Sequence, residues 1–132
     1  MKETLKIKLE DLITKRKAFK KITSHPKLKI NTMIDIERKI RGIMIEFHTF
    51  EKCQKQLMKR YGENGGMSPN IKKECIIPFA EEMNEVMEKE IEIEYERISF
   101  KELVDQGIEL SIDDYTDLKE HFLIVEEGRI KK

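Results

Sequence analysis

The segment EIEIEYE, residues 90–96, alternates acidic and apolar side chains, and it decides the fold prediction. Ile91, Ile93 and Tyr95 fall on one face of an extended chain and the glutamates fall on the other, because successive strand side chains point to opposite sides. This period of two predicts a half-buried β-strand.

The segment TLKIKLE, residues 4–10, carries the same alternation with lysines in place of most of the glutamates. If the two segments pair, their apolar residues share the side that faces the core. Lys6 and Lys8 then meet the glutamates on the other side, in cross-strand pairs that contribute about 0.2–1 kcal/mol each. The alternative is that each segment exposes its charges to solvent independently.

Between these segments, the longest periodic stretch starts at Asn31 or Thr32 and ends at Gly62. Its apolar residues recur at steps of three and four, which predicts one helix of about thirty residues, about 45 Å long. A second group of apolar residues widens its face, and we expect the N-terminal helix, rather than a dimer mate, to cover that group. The main stripe is Met33, Ile36, Ile40, Ile43, Phe47, Phe50, Leu57 and Tyr61; the second group is Ile34, Met44, Ile45 and Met58.

A second helix is predicted to begin at Ser68-Pro69, because serine caps helices and proline suits the first helical position. Pro78 must kink this helix or restart it. Its stripe runs back along the long helix and completes an antiparallel hairpin. The stripe consists of Ile71, Cys75, Phe79, Met83 and Val86.

Shorter elements flank the hairpin. A short amphipathic helix is predicted from about Asp11 to Ser24, since the following His25-Pro26 disfavours helix. A helical turn stopped by Gly107 and a helix capped by Ser111 follow the second strand. The prediction is therefore a single domain over residues 1–132 of the α+β class. It is a long antiparallel helical hairpin with a short N-terminal helix, packed on a two- or three-stranded sheet that pairs the N-terminal strand with the strand near residues 90–97.

The composition points to a cytoplasmic protein with free thiols. Charged residues make up 39% of the chain, against about 25% in average globular proteins, which is typical of helices with solvated faces. Cys53 and Cys75 have no metal or redox spacing, and the start MKETLKIKLED does not resemble a signal peptide. No apolar run approaches the roughly 18 residues of a membrane span, so we expect no membrane association.

Charge is distributed unevenly along the chain. Residues 1–62 hold 17 Lys and Arg against 7 Asp and Glu, a net charge of +10, and residues 63–132 hold 9 against 19, a net charge of −10. Such asymmetry is typical of nucleic-acid binding or of two halves that neutralise each other. The strand pattern favours the second interpretation.

Two charge clusters are the candidate partner-binding sites. The basic one is a nucleic-acid candidate, because phosphate binding needs dense positive charge. The acidic cluster is a candidate for binding a nucleic-acid enzyme, since a row of carboxylates can imitate a phosphate backbone and occupy the groove that binds nucleic acid. The clusters are Lys15, Arg16, Lys17, Lys20 and Lys21, and Glu81, Glu82, Glu85 and Glu88.

No catalytic, cofactor or metal motif is recognisable: HExxH, CxxC, GxSxG and P-loop patterns are all missing from the sequence. His48 and Cys53 are five residues apart, which does not place them on one helix face. We therefore expect a protein that is not an enzyme, without cofactors and without catalytic, cofactor-binding or metal-binding residues.

Three segments resemble a family of small uncharacterised proteins encoded by tailed phages and prophages of Gram-positive bacteria. They are LKIKLEDL at residues 5–12, Tyr61-Gly62, and LSIDD at residues 110–114. The stretch 67–77 departs from the polar loop that is usual in that family before the second helix of the hairpin. The resemblance implies a phage accessory or virion-associated role, in the host cytoplasm or the virion, and no transferable activity.

The functional hypothesis that follows is a phage-type accessory protein that binds a phage structural protein or a host enzyme. It would serve as a virion or tail component or as an assembly factor. One alternative is an inhibitor of a host nucleic-acid or defence enzyme that acts through the acidic surface. Another is direct nucleic-acid binding through the basic N-terminal helix. The sequence leaves monomer and homo-oligomer open.

Overall fold

The computed structural model describes residues 2–125 and has a mixed α+β architecture, as predicted. Its sheet content is one antiparallel pair of strands and one short parallel pair within this range. The elements in chain order are β1 (Glu3–Lys8), α1 (Leu9–Ile13), α2 (Arg16–Thr23), α3 (Ile30–Lys39), α4 (Arg41–Tyr61), α5 (Ile76–Met87), β2 (Glu90–Tyr95), β3 (Ile98–Ser99), α6 (Phe100–Asp105), α7 (Ile112–Lys119) and β4 (Leu123–Ile124).

The two alternating segments pair as predicted. β1 and β2 are antiparallel, with Lys6 opposite Glu92 and Lys8 opposite Glu90. The four charged side chains are exposed, whereas Ile93 on the other face is buried. The sheet therefore has a charged outer face and an apolar inner face.

The long helix is interrupted, contrary to the prediction of one continuous helix. Ile40 leaves the helical conformation, with φ −109° and ψ 20°, and separates α3 from α4. The carbonyl oxygen of Lys39 accepts a hydrogen bond of 2.9 Å from the backbone N–H of Glu96, at the end of β2. In a continuous helix this carbonyl oxygen would accept a hydrogen bond from the N–H four residues later in the same helix. Here it accepts from the strand instead, and the helix is interrupted at that point.

The predicted helix start at Ser68-Pro69 is also wrong. The hydroxyl of Ser68 accepts from the N–H of Asn70, two residues on, which is a tight turn and not a helix cap. Short 3₁₀ turns at Glu63–Gly66 and Lys73–Cys75 occupy the connection, and α5 begins only at Ile76. Pro78 lies in the first turn of α5, where a missing N–H removes no helical hydrogen bond, so the proline does not kink the helix. The other predicted outcome, a helix that restarts near Pro78, agrees with the start of α5 at Ile76.

The C-terminal elements follow the predicted caps. The hydroxyl of Ser111 accepts from the N–H of Asp114 and begins α7, and Gly107, with φ 80°, follows α6. The parallel pairing of β3 with β4, in which Ile98 lies opposite Leu123, was not predicted. The predicted N-terminal helix is divided into α1 and α2 at residues 14–15.

The core centres on Phe19 of α2, which is fully buried. Its ring centroid lies 5.9 Å from that of Phe47 on α4 and 5.2 Å from that of Phe122. The ring of Tyr95 of β2 also packs against that of Phe122, with the two centroids 5.1 Å apart. Residues from the two ends of the described chain therefore share one cluster with the sheet and the long helix.

The N-terminal helix does not cover the wide face of α3 and α4 as expected. Ile34 is 39% exposed and Ile45 is 56% exposed, whereas Met44 and Met58 are partly buried. α2 contacts α3 and α7, and Phe19 is directed at Phe47. The N-terminal helix therefore packs on a side of α3 and α4 other than the side that carries Ile34 on α3 and Ile45 on α4.

Candidate functional site

Ion pairs to other helices engage three of the five residues in the basic cluster. Arg16 pairs with Glu51 of α4, and the ammonium of Lys20 lies 3.7 Å from the same carboxylate. Lys21 lies 3.1 Å from Asp114 at the start of α7. These contacts fix α2 between α4 and α7, which gives much of the basic cluster a structural role.

Asp114 is the most buried of the paired acids, with its side chain 12% exposed. Burial raises the pKa of this carboxyl, but the hydrogen bonds from Lys21 and Ser111 outweigh burial. The pKa of Asp114 therefore lies below its usual value. Lys15 and Lys17 form no ion pair among the described residues, and Lys17 is exposed.

The acidic cluster on α5 divides into two sides. Glu82 lies 3.4 Å from Arg60 at the end of α4, and Glu82 and Glu85 line a groove between these helices. Glu81 and Glu88 are exposed and do not line it. The structure therefore brings only half of this cluster to a concave surface.

The groove has a volume of about 1350 Å³ and lies between α4, α5 and the connecting loop. It contains residues of both predicted clusters, because Arg16 from α2 lines it together with Glu82 and Glu85. The remaining predicted residues lie outside it. Its apolar lining includes Cys53, Leu57, Met58, Met67 and Val86.

The helix on one side of this groove, α5, is incompletely covered. None of its residues is buried, and Phe79, Met83 and Val86 of its apolar stripe are only partly buried. Ile77 is 70% exposed, and Met67 in the adjoining loop is 91% exposed. Apolar surface is therefore left open along the hairpin while the core around Phe19 is sealed.

Two charged side chains that line the groove, those of Arg16 and Glu82, have distinctive surroundings. The Nε atom of Arg16 is buried and has no hydrogen-bond partner within residues 2–125. Glu82 also affects Tyr61, because its carboxylate next to the Tyr61 hydroxyl raises the pKa of that phenol. The Tyr61 ring packs edge-on against Phe79, with the ring centroids 6.5 Å apart.

The described residues contain no group of three or more His, Cys, Asp and Glu side chains placed to hold a metal ion. Cys53 and Cys75 are free thiols, as expected. Within residues 2–125, no helix combines the length and apolar character that a bilayer crossing requires. What the groove offers chemically is apolar contact area with charged groups at its margins.

Sequence reasoning missed the groove as a unit. The helical phase of α5 gives a usable signal, since Glu82 and Glu85 lie next to the stripe of Phe79 and Val86 at three- and four-residue steps. No local signal indicates that Met67 lies beside α4. Comparison of the chain with protein-family models, with curated proteins and with solved structures finds no match.

Proposed function

We propose that this protein acts by binding another protein in the groove between α4 and α5. The observation that carries the proposal is that the apolar stripe of α5 is only partly buried. The core around Phe19 is buried in the same chain, which shows that the chain has enough apolar residues to form a core without this stripe. Exposed apolar patches rimmed by polar residues mark interaction sites in soluble proteins. Methionines such as Met58 and Met67 adapt their shape to a partner.

An amphipathic helix of the partner fits this groove best. Two helices form its walls, and a third helix packs between helical walls through an apolar stripe at three- and four-residue spacing. Arg16 on one side and Glu82 with Glu85 on the other supply charges of both signs.

The resemblance to phage and prophage proteins supports a role as a phage accessory protein. In that setting the partner is a phage structural protein or a host enzyme, and the protein serves as a virion or tail component or as an assembly factor. The ion pairs of Arg16, Lys20 and Lys21 disfavour direct nucleic-acid binding, because Glu51 and Asp114 neutralise part of the positive charge of the basic cluster. The proposed role is not catalytic.

Met67→Asp tests the groove. The side chain is 91% exposed, so its replacement leaves the fold intact while placing a charge at the groove. Ile112→Asp is the matched control, because Ile112 is 85% exposed on α7 and does not line the groove. Immobilised wild-type protein and both variants are incubated with lysate of phage-infected Gram-positive cells, and retained proteins are quantified by mass spectrometry.

We expect a protein retained by the wild type and by the Ile112→Asp variant and lost with the Met67→Asp variant. Equal retention by all three contradicts the groove as the binding site. Purified phage particles give a separate test of the virion role. Detection of this chain in the particles supports a structural component, and its complete absence leaves the assembly-factor role.

A further inference from the structure

Within the part of the chain that the structure describes, β1 forms an open edge of the antiparallel sheet. Among residues 2–125 it pairs with β2 alone. The far side of β2 is closed by the helices, since Gly42 of α4 abuts the carbonyl of Glu94 and the N–H of Glu96 donates to Lys39. A further strand can therefore join the sheet only at β1.

The hydrogen-bond alternation fixes which backbone groups face this edge. The N–H of Leu9 donates to the carbonyl of Lys89 at 2.8 Å, one step beyond the Lys8–Glu90 pair. Hydrogen-bonded and non-bonded pairs alternate along an antiparallel ladder, so Leu5 and Ile7 are the residues bonded to β2. The N–H and C=O groups of the intervening residues point to the open edge; these residues are Thr4, Lys6 and Lys8.

From Leu5 to Lys8, the side chains of β1 are basic on the outer face of the sheet and apolar on the inner face. Lys6 and Lys8 are exposed on the outer face, whereas Leu5 and Ile7 on the inner face are only partly buried. By contrast, Ile93 one strand further in is 2% exposed. The apolar side of β1 is therefore incompletely covered, and an added strand would cover it.

We propose that the open edge of β1 binds an extended segment of a partner protein in which acidic and apolar residues alternate. Its acidic residues lie opposite Lys6 and Lys8, and its apolar residues extend the inner face beside Leu5 and Ile7. Main-chain hydrogen bonds supply affinity in this mode of recognition, and the alternate side chains supply specificity.

A second copy of β1 is a poor occupant. Antiparallel self-pairing centred on Lys6 places two ammonium groups directly opposite each other, and like charges in that position are destabilising. Lysines on an edge strand oppose pairing with a second copy of the same strand in this way, but they do not oppose pairing with an acidic strand. No residue of β1 lines the α4–α5 groove, so this site stands or falls independently of the proposed groove.

The probe is a fluorescein-labelled peptide of sequence EIEIEYE, which copies residues 90–96, the acidic strand already paired with β1. Its binding to the full chain is measured by fluorescence anisotropy. A peptide KIKIKYK is the charge-reversed control. We expect saturable binding of the acidic peptide and none of the lysine peptide at the same concentrations.

Backbone methylation distinguishes strand addition from a simple charge contact. N-methylation of the two central glutamates blocks amides that face β1, and we expect binding about 30-fold weaker, the loss appropriate to two backbone hydrogen bonds. N-methylation of the isoleucines alters amides that face solvent and should leave affinity unchanged. This pattern belongs to an antiparallel added strand, which is the orientation we propose, because in a parallel strand the isoleucine amides would face β1 instead.

The protein side is tested by Lys6→Gln combined with Lys8→Gln, which should weaken the acidic peptide about fivefold. Lys17→Gln combined with Lys101→Gln is the control, because it removes the same charge from exposed sites elsewhere and should change nothing. The proposal is overturned if the acidic peptide does not bind, if the lysine peptide binds equally, or if methylated glutamates are tolerated. A dimeric chain in light scattering that dissociates when the peptide is added would instead assign the edge to a second copy.

Discussion

The backbone of Gly42 lies so close to the carbonyl oxygen of Glu94 that a Cβ atom on residue 42 would be 2.6 Å from that oxygen. We expect Gly42→Ala to force the sheet and α4 apart. Overpacking of this kind costs about 1–3 kcal/mol, and the better helix propensity of alanine returns at most about 1 kcal/mol. Urea denaturation should show a lower free energy of unfolding.

Thr49→Ala is the control for this measurement, since Thr49 is exposed on the same helix. Its effect should remain within about 0.5 kcal/mol. If the Gly42→Ala variant is as stable as the Thr49→Ala variant, the close approach of α4 to β2 is wrong.

Arg97 joins three segments of the chain. Its Nε donates to Glu3 at 2.6 Å, and its Nη1 donates to the carbonyl oxygens of Glu120 and Leu123 at 3.0 and 3.2 Å. A lysine ammonium cannot reproduce this fork, so Arg97→Lys should lower the free energy of unfolding by about 1–2 kcal/mol. The reverse exchange at exposed Lys101, Lys101→Arg, should have no measurable effect in the same denaturant titration.

Asp114 should make stability depend on pH in the acid range. Because its folded pKa is lowered, the carboxylate stabilises the fold at pH values above its unfolded pKa near 3.8, and this stabilisation is lost as the pH falls through the folded pKa. We expect Asp114→Asn to be less stable at pH 7 by about 1 kcal/mol, a modest value because Lys21 is partly solvated.

The difference between the wild type and the Asp114→Asn variant should shrink below pH 3.8. Thermal unfolding followed by circular dichroism between pH 2 and pH 7 measures it. A gap that stays constant over that range would show that Asp114 acts through packing and not through its charge. Asp105→Asn, at an exposed position of α6, is the reference.

Phe19 should be among the most sensitive positions of the core. Phe19→Ala removes a fully buried ring that contacts Phe47 and Phe122, and such truncations cost about 3–5 kcal/mol. Phe100 is only partly buried beside Tyr115, so Phe100→Ala should cost clearly less. Equal losses for the two variants in chemical denaturation would contradict the placement of Phe19 at the centre.

The strand pair was predictable because its information is local. The alternation in residues 4–10 and 90–96 specifies the face that each side chain occupies, and the opposite charges indicate the partner. The capping role of Ser111 was predictable for the same reason, since the cap and the acids of the first turn are adjacent in sequence. These patterns need no knowledge of the rest of the fold.

The helix break at Ile40 was not predictable, because its cause lies in another part of the chain. The apolar stripe continues through Ile40 without a defect, and only the approach of β2 to Lys39 and Gly42 reveals the interruption. Ser68-Pro69 gave a misleading local signal, since the serine hydroxyl bonds within a tight turn. β3 and β4 are two residues each, too short for a periodic pattern.

The candidate site was only partly predictable. The charges of Arg16, Glu82 and Glu85 were selected from the sequence, but their meeting in one groove depends on how α2 and α5 pack against α4. The ion pair of Lys21 with Asp114 likewise requires the positions of α2 and α7. Charge clusters identify candidates, and tertiary packing determines which of them share a surface.

The contact of Phe19 with Phe122 also has a consequence for the order of folding on the ribosome. The N-terminal strand and the first core aromatic leave the exit tunnel early, but their partners in β2 and around Phe122 are synthesised far later. Closing such long loops before any contact forms is slow, as it is in other topologies dominated by distant pairs. During synthesis, β1 with its two lysines therefore stays unpaired until β2 has emerged from the ribosome.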